Sequence, residues 1–230
     1  MHSDRLADRV FTLAMATACL AAVLLGLSLV NGVSQGQFQI VRSADEMARM
    51  LVASRAPMRL EIFIDFLFLL LYGSFFTLLP AALEAHAPMS HTQAIAARAA
   101  SAALIITALL DASENAHILT ELASASSGIA LSSFEIALQA VLSQVKFVVS
   151  YFGLFMLSYA LDSRVTSERL LALVLRWVQA PLGLAIFVAE PPFLRPLYLT
   201  RAVFFVVGMC WIGLVLRRRA SREGSASRSG

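Results

Sequence analysis

Carboxylate, amide and imidazole side chains recur at helical spacing inside segments of the chain that are otherwise apolar. In the densest group, Asp111, Glu114 and Asn115 lie three and four residues apart along the sequence. A helix would therefore place all three on one face. His117 follows three residues after Glu114, near the edge of that face. Such a face can bind a small ligand, or it can pass a proton or a cation.

Two neighbouring segments carry polar stripes of the same kind, with polar residues repeating at helical spacing. Their members are Glu61, Asp65 and Tyr72 in one segment and Gln139, Ser143 and Lys146 in the other. A charged residue at the centre of a membrane helix costs about 2.5–3.5 kcal/mol on insertion scales. We therefore expect these stripes to face the interior of a helix bundle, where each side chain has a partner or a function.

The segments that must position these residues are long and apolar. Of the 230 residues, 59% are hydrophobic and 14% are charged, against roughly 45–50% and 25% in soluble domains. The mean hydropathy is +0.76, and the apolar blocks are long enough to cross a bilayer. This composition excludes a soluble globule and a disordered chain. It predicts an all-α, polytopic membrane protein with six transmembrane helices, at about residues 10–30, 62–83, 99–120, 138–161, 170–189 and 197–216.

The predicted transmembrane helices form a single domain over residues 1–219, and a disordered basic tail is expected over residues 220–230. The second helix is expected to bend or end near Pro80. Two capping boxes, beginning at Ser43 and Ser132, predict helix starts. The first box precedes an amphipathic segment, which predicts a short surface helix after the first span. Its apolar face carries Met47, Met50 and Leu51, and its polar face carries Arg42, Glu46, Arg49 and Arg55.

Cationic residues predict the orientation of the chain. With six spans both termini lie on one side, and that side collects ten arginines, five of them within residues 217–230. The positive-inside rule then places both termini in the cytoplasm of a cell inner membrane. A basic tail of this kind suits membrane lipid, so we expect lipid rather than nucleic acid as a partner.

The helix rise of 1.5 Å per residue relates the depths of the charged residues. Consecutive spans with short links run antiparallel, so depth can be counted from shared ends. Asp65, Asp111, Glu114 and Lys146 all fall within roughly 5–14 Å of one surface by this rise. That surface is the outer one in the predicted orientation. The sequence thus predicts one intramembrane polar cluster.

We predict a ligand- or ion-binding cluster formed by Asp65, Asp111, Glu114, Asn115, His117 and Lys146. Secondary candidates for the same cluster are Glu61, Tyr72, Gln139 and Ser143. The first hypothesis is a transporter-like or small-ligand-binding membrane protein, whose partner is a small molecule, a proton or a cation. No histidine or cysteine spacing typical of a metal site occurs, so neither a metal nor a cofactor is expected.

Two alternatives remain open at this point. One is an intramembrane lipid-modifying enzyme, with His117 as a base oriented by a carboxylate. The other is an assembly protein in which the cluster only holds helices together. Assembly of several copies into a homo-oligomer is compatible with each hypothesis.

Overall fold

The computed structural model describes residues 2–85, 89–161, 165–188 and 194–226, and all regular structure within them is helical. Six segments are long and apolar enough to cross a membrane, which confirms the predicted all-α bundle of six spans. The helices are α1 His2–Asn31, α2 Ala44–Ala53, α3 Arg55–Ala85, α4 His91–Ser126, α5 Ser133–Ala160, α6 Thr166–Val174, α7 Ala180–Val188 and α8 Leu194–Ala226. The fifth span consists of α6, a π-helical turn at Leu175–Gln179, and α7.

The six spans form a ring in which each packs against the next and α8 packs back against α1. The guanidinium of Arg217 lies 4.8 Å from the centre of the Phe11 ring, so the end of α8 meets the start of α1. An apolar core fills the half of the ring nearest the chain ends. Its buried members include Val10, Ala14, Leu79, Leu83, Ala100, Leu157, Ile212 and Leu216.

Helix α2 is amphipathic, as its sequence predicts, but its apolar face packs against protein. Met47 and Leu51 are buried in a second apolar cluster with Ile118 of α4. The Ser43 hydroxyl caps the helix by accepting from the Glu46 backbone N–H at 3.3 Å. The Glu46 carboxylate pairs with Arg42 at 2.6 Å. Packing against α4 fixes α2 as a cover over the end of the bundle opposite the chain termini.

The spans are longer than their apolar blocks because polar caps extend them. At the start of α5, Ser132 and Glu135 form both halves of the predicted capping box. At the other end of the chain, α8 includes residues 220–226, part of the segment for which the sequence predicts disorder. Residues 227–230 lie outside the described part of the chain.

Pro80 and Pro181 lie in the interior of membrane spans, and the fold accommodates them differently. Helix α3 continues through Pro80 to Ala85, whereas the sequence suggested a bend or an end near Pro80. A proline leaves the carbonyl four residues earlier without its helical donor. Here that carbonyl belongs to Phe76, and the Ser101 hydroxyl of α4 donates to it. Around Pro181 the fifth span instead widens into the π-helical turn, a local change that can absorb a helix defect.

Candidate polar cavity

A cavity of about 1170 Å³ occupies the half of the ring opposite the apolar core. Faces of α1, α3, α4, α5 and α8 and the loop after α1 form its walls. The charged and phenolic side chains that line it are Arg42, Glu61, Asp65, Tyr72, Asp111, Lys146, Tyr151, Tyr198 and Arg201. Leu29, Ile40 and Leu199 also line the cavity and are exposed. The cavity therefore reaches the molecular surface at the end opposite the chain termini.

Lys146 of α5 is the centre of a buried charged group. Its ammonium lies 2.7 Å from Asp111 Oδ1 and 2.8 Å from Glu114 Oε2, both on α4. Glu114 Oε1 also accepts from Gln39 Nε2 at 2.6 Å. Lys146 is 3% exposed and Glu114 is fully buried, whereas the Asp111 side chain is 18% exposed and lines the cavity. The group therefore meets the cavity mainly through Asp111. Two carboxylates contact one ammonium, and the three side chains together carry one excess negative charge when ionised.

Asp65 of α3 belongs to a second group, which is built from amides. Its Oδ2 accepts from Asn115 Nδ2 at 2.6 Å, and Asn115 Oδ1 accepts from Gln35 Nε2 at 2.9 Å. The Gln35 backbone N–H points to Glu61 Oε1 at 3.2 Å. Hydrogen bonds therefore join α3, α4 and the loop after α1, which fixes Asp65 at the cavity wall.

Gln35 and Gln39 are contacts that the sequence analysis missed. They lie between two spans, where helical periodicity gives no signal. The sequence does repeat glutamine at positions 35, 37 and 39 beside an apolar span. That repeat was the available sign that amides from the loop cover the cluster.

The predicted cluster residues divide into three groups in the structure. Those that line the cavity are Glu61, Asp65, Tyr72, Asp111 and Lys146. Glu114 and Asn115 do not line the cavity but contact residues that do. Glu114 pairs with Lys146, and Asn115 donates to Asp65. His117, Gln139 and Ser143 lie apart from the cavity.

The group that lies apart is centred on His117. Its Nδ1 is 2.9 Å from Gln139 Oε1 and 3.9 Å from Glu121 Oε1. Ser143 is buried, and its hydroxyl has no hydrogen-bond partner among the described residues. Since none of these side chains lines the cavity, the structure gives His117 no access to a molecule bound there.

Arg201 of α8 is the cation that the sequence analysis overlooked as part of a site. Its guanidinium lies 4.1 Å from the Phe147 ring centre and 4.8 Å from that of Tyr198. The Nη1 atom is buried without a hydrogen-bond partner in the described part of the chain. An arginine inside a predicted span was the available signal, but its position near the span end also suits a topology anchor.

An aromatic group lies deeper in the cavity, where α3 and α8 meet. The ring centres of Phe68 and Phe205 are 5.6 Å apart, and those of Tyr72 and Phe205 are 5.9 Å apart. All three side chains line the cavity. They give it an aromatic floor, and Glu61, Asp65 and Arg201 precede these rings along α3 and α8 and so lie nearer the mouth.

The described residues contain no group of three or more His, Cys, Asp or Glu side chains placed to hold a metal ion. No protein-family model matches this chain, and no curated protein or solved structure matches it. The fold and the site define a multi-pass α-helical membrane protein with an internal cavity that is lined by both acidic and basic side chains.

Proposed function

We propose that the protein is a transporter-like membrane protein that binds a small solute or ion in this cavity. The observation that carries the proposal is the open volume of about 1170 Å³ reaching Asp65, Asp111 and Lys146. Known ligand sites are concave, mostly apolar, and contain a few placed polar groups. This cavity has that composition.

Comparison with the two alternatives supports this choice. Polar side chains that served only to hold helices together would pair with one another across a dry interface. Here Asp65, Asp111 and Lys146 have polar partners and also line an open volume. The hypothesis of a lipid-modifying enzyme requires His117 to act as a base. His117 contacts Gln139 outside the cavity, which does not favour that hypothesis.

The asymmetry of the bundle also supports a transporter-like function. The cavity opens at the end opposite the chain termini, while the apolar core closes the other half. An alternating-access protein needs such a one-sided cavity in each of its end states. With the termini in the cytoplasm of an inner membrane, as we propose, the cavity opens outward. Asp65, Asp111 and Glu114 would then pass a proton or cation, with Lys146 as their counter-charge.

Cysteine accessibility tests whether aqueous solutes enter the cavity. In a chain with Cys19 and Cys210 replaced by alanine, we would compare Ser150→Cys with Ser158→Cys. Both serines are on α5, but Ser150 lines the cavity and Ser158 is 2% exposed outside it. We expect a membrane-impermeant cationic thiosulfonate to modify the Ser150→Cys chain at least about tenfold faster, because only that thiol meets water.

The side from which the reagent acts tests the orientation. In right-side-out vesicles the Ser150→Cys chain should react with external reagent, and in inside-out vesicles it should not. Equal, slow labelling of the two cysteine chains would contradict an open cavity and with it the proposed function. Transport is tested separately in proteoliposomes loaded with a pH-sensitive dye, where Asp111→Asn should abolish any proton flux that the unmodified chain supports.

A further inference from the structure

We propose that the cavity binds a zwitterion, with its ammonium group at Asp65 and its carboxylate or phosphate group at Arg201. The inference rests on the proposed binding function and names the chemical class of the ligand. Two charged groups of opposite sign face the same cavity, and neither has an ionic partner within the described residues.

Asp65 supplies the negative subsite. It is 6% exposed and accepts a hydrogen bond from the neutral amide of Asn115. No Lys, Arg or His nitrogen of the described chain lies within ion-pair distance of it. The ammonium of Lys146 already contacts two other carboxylates. Glu61 lies one helical turn nearer the mouth and also lines the cavity, which strengthens the preference of this wall for a cation.

Arg201 supplies the positive subsite. The rings of Phe147 and Tyr198 hold its guanidinium in place, and no carboxylate among the described residues pairs with it. Its Nη1 is buried and without a partner. A buried guanidinium donor without a partner is unfavourable, and the planar fork of arginine suits a carboxylate or a phosphate. Nη1 itself does not face the open volume, but the Arg201 side chain is partly exposed and lines the cavity. An anionic group in the cavity can therefore pair with the accessible part of the guanidinium.

The two subsites lie at similar depth on α3 and α8, the two helices that flank α1 in the ring. Helices α3 and α8 both start at the mouth end, and their aromatic side chains Phe68 and Phe205 meet at 5.6 Å. Asp65 is three residues before Phe68, and Arg201 is four residues before Phe205. At 1.5 Å per residue these offsets are about 4.5 and 6 Å. One small molecule can therefore span both charges above the aromatic floor.

A free amino acid and the headgroup of a zwitterionic phospholipid share this chemistry. The first probe series is phenylalanine with phenethylamine, which lacks the carboxylate, and 3-phenylpropionate, which lacks the ammonium. The second is lysophosphatidylethanolamine with lysophosphatidic acid, which lacks the ammonium. Affinities are measured by calorimetric titration of the full chain in a non-ionic detergent. The series in which the zwitterion binds more tightly than its charge-deleted analogues identifies the source of the ligand.

We expect the zwitterion of one series to bind on the order of 10- to 100-fold tighter than the analogues that lack one of its charged groups, as charge-assisted pairs predict. Asp65→Asn should weaken the zwitterion and phenethylamine by a similar factor but leave 3-phenylpropionate unchanged. Arg201→Gln should weaken the zwitterion and 3-phenylpropionate but leave phenethylamine unchanged. Glu84→Gln and Arg218→Gln are matched controls, because they make the same changes on the exposed parts of α3 and α8.

The analogue series on the unmodified chain keeps the test decisive even if a variant fails to fold. Equal affinity for charged and charge-deleted ligands would overturn the zwitterion proposal, and so would a lack of binding in both series. Either result combined with rapid labelling of the Ser150→Cys chain leaves the open cavity intact and refutes only the ligand class. Slow labelling refutes the proposed function itself.

Discussion

The buried charges around Lys146 lead to a prediction about which side chain the fold requires. Lys146→Met removes the ammonium that lies 2.7 Å from Asp111 and 2.8 Å from Glu114. Removing one partner of a buried ion pair costs about 3–5 kcal/mol, because the remaining charge is left uncompensated. The variant leaves the carboxylates of Asp111 and Glu114 without an ammonium contact among the described residues. We therefore expect a loss of about 3–5 kcal/mol in the free energy of unfolding.

Glu114→Gln makes a change of similar size in the same group, but we expect it to cost about 1 kcal/mol or less. Lys146 would keep Asp111 as a one-to-one partner, so the excess negative charge disappears. The new amide oxygen can accept from Lys146. Gln39 Nε2 donates to Glu114 in the unmodified chain. If the Gln39 amide turns over, its Oε1, which has no partner among the described residues, can accept from the new N–H. The two variants thus separate the need for a cation from the need for both carboxylates.

The assay is thermal unfolding in detergent, and the readout is the fraction of protein that remains monodisperse. For a chain of this size 1 kcal/mol corresponds to roughly 2–4 °C in Tm. Lys146→Met should therefore lower Tm by about 6–20 °C, and Glu114→Gln should lower it by no more than about 4 °C. If Lys146→Met were as stable as Glu114→Gln, the reasoning about charge compensation would be refuted.

Three further substitutions test individual contacts, each by Tm in the same assay. Ser101→Ala removes the donor to the Phe76 carbonyl and should cost about 1–3 kcal/mol as a buried acceptor loses its partner; unchanged stability would contradict that role. Gly183→Ala places a methyl group against the Tyr151 ring, so it should cost about 1–3 kcal/mol by overpacking and displace a cavity wall. Ser143→Ala removes a buried hydroxyl without a described partner and should be neutral or stabilising.

The fold was predictable because membrane spans follow from length and hydropathy alone. The apolar blocks gave all six spans, and the capping box at Ser132 gave the start of α5. The span ends depended on tertiary contacts that hydropathy does not report. Pro80 illustrates this, because the helix continues past it next to a hydroxyl from α4. The hydroxyl belongs to Ser101, one of many small polar residues in the apolar blocks. Its contact with the Phe76 carbonyl is visible only in three dimensions.

The site was predictable where one helix presented several polar residues on one face. At about 100° per residue, Asn115 lies about 40° from Asp111 around α4, whereas His117 lies about 120° away. This angle explains why Asn115 reaches Asp65 at the cavity wall, whereas His117 contacts Gln139 away from the cavity. Gln35 and Arg201 lay outside such patterns, since one is in a loop and the other resembles a topology anchor.

The distribution of charge around the cavity argues that its open volume holds water or a polar solute. Asp111 and Lys146 line the cavity and pair directly with each other. Asp65 and Arg201 line the same cavity and do not. In a water-poor interior two such charges gain most by direct contact, so a bundle shaped only by helix packing would bring them together. Here α3 and α8 touch through aromatic rings one turn deeper, and the charges above remain apart. Their separation is favourable only when something polar fills the space between them, and in a membrane protein that is water or a bound solute.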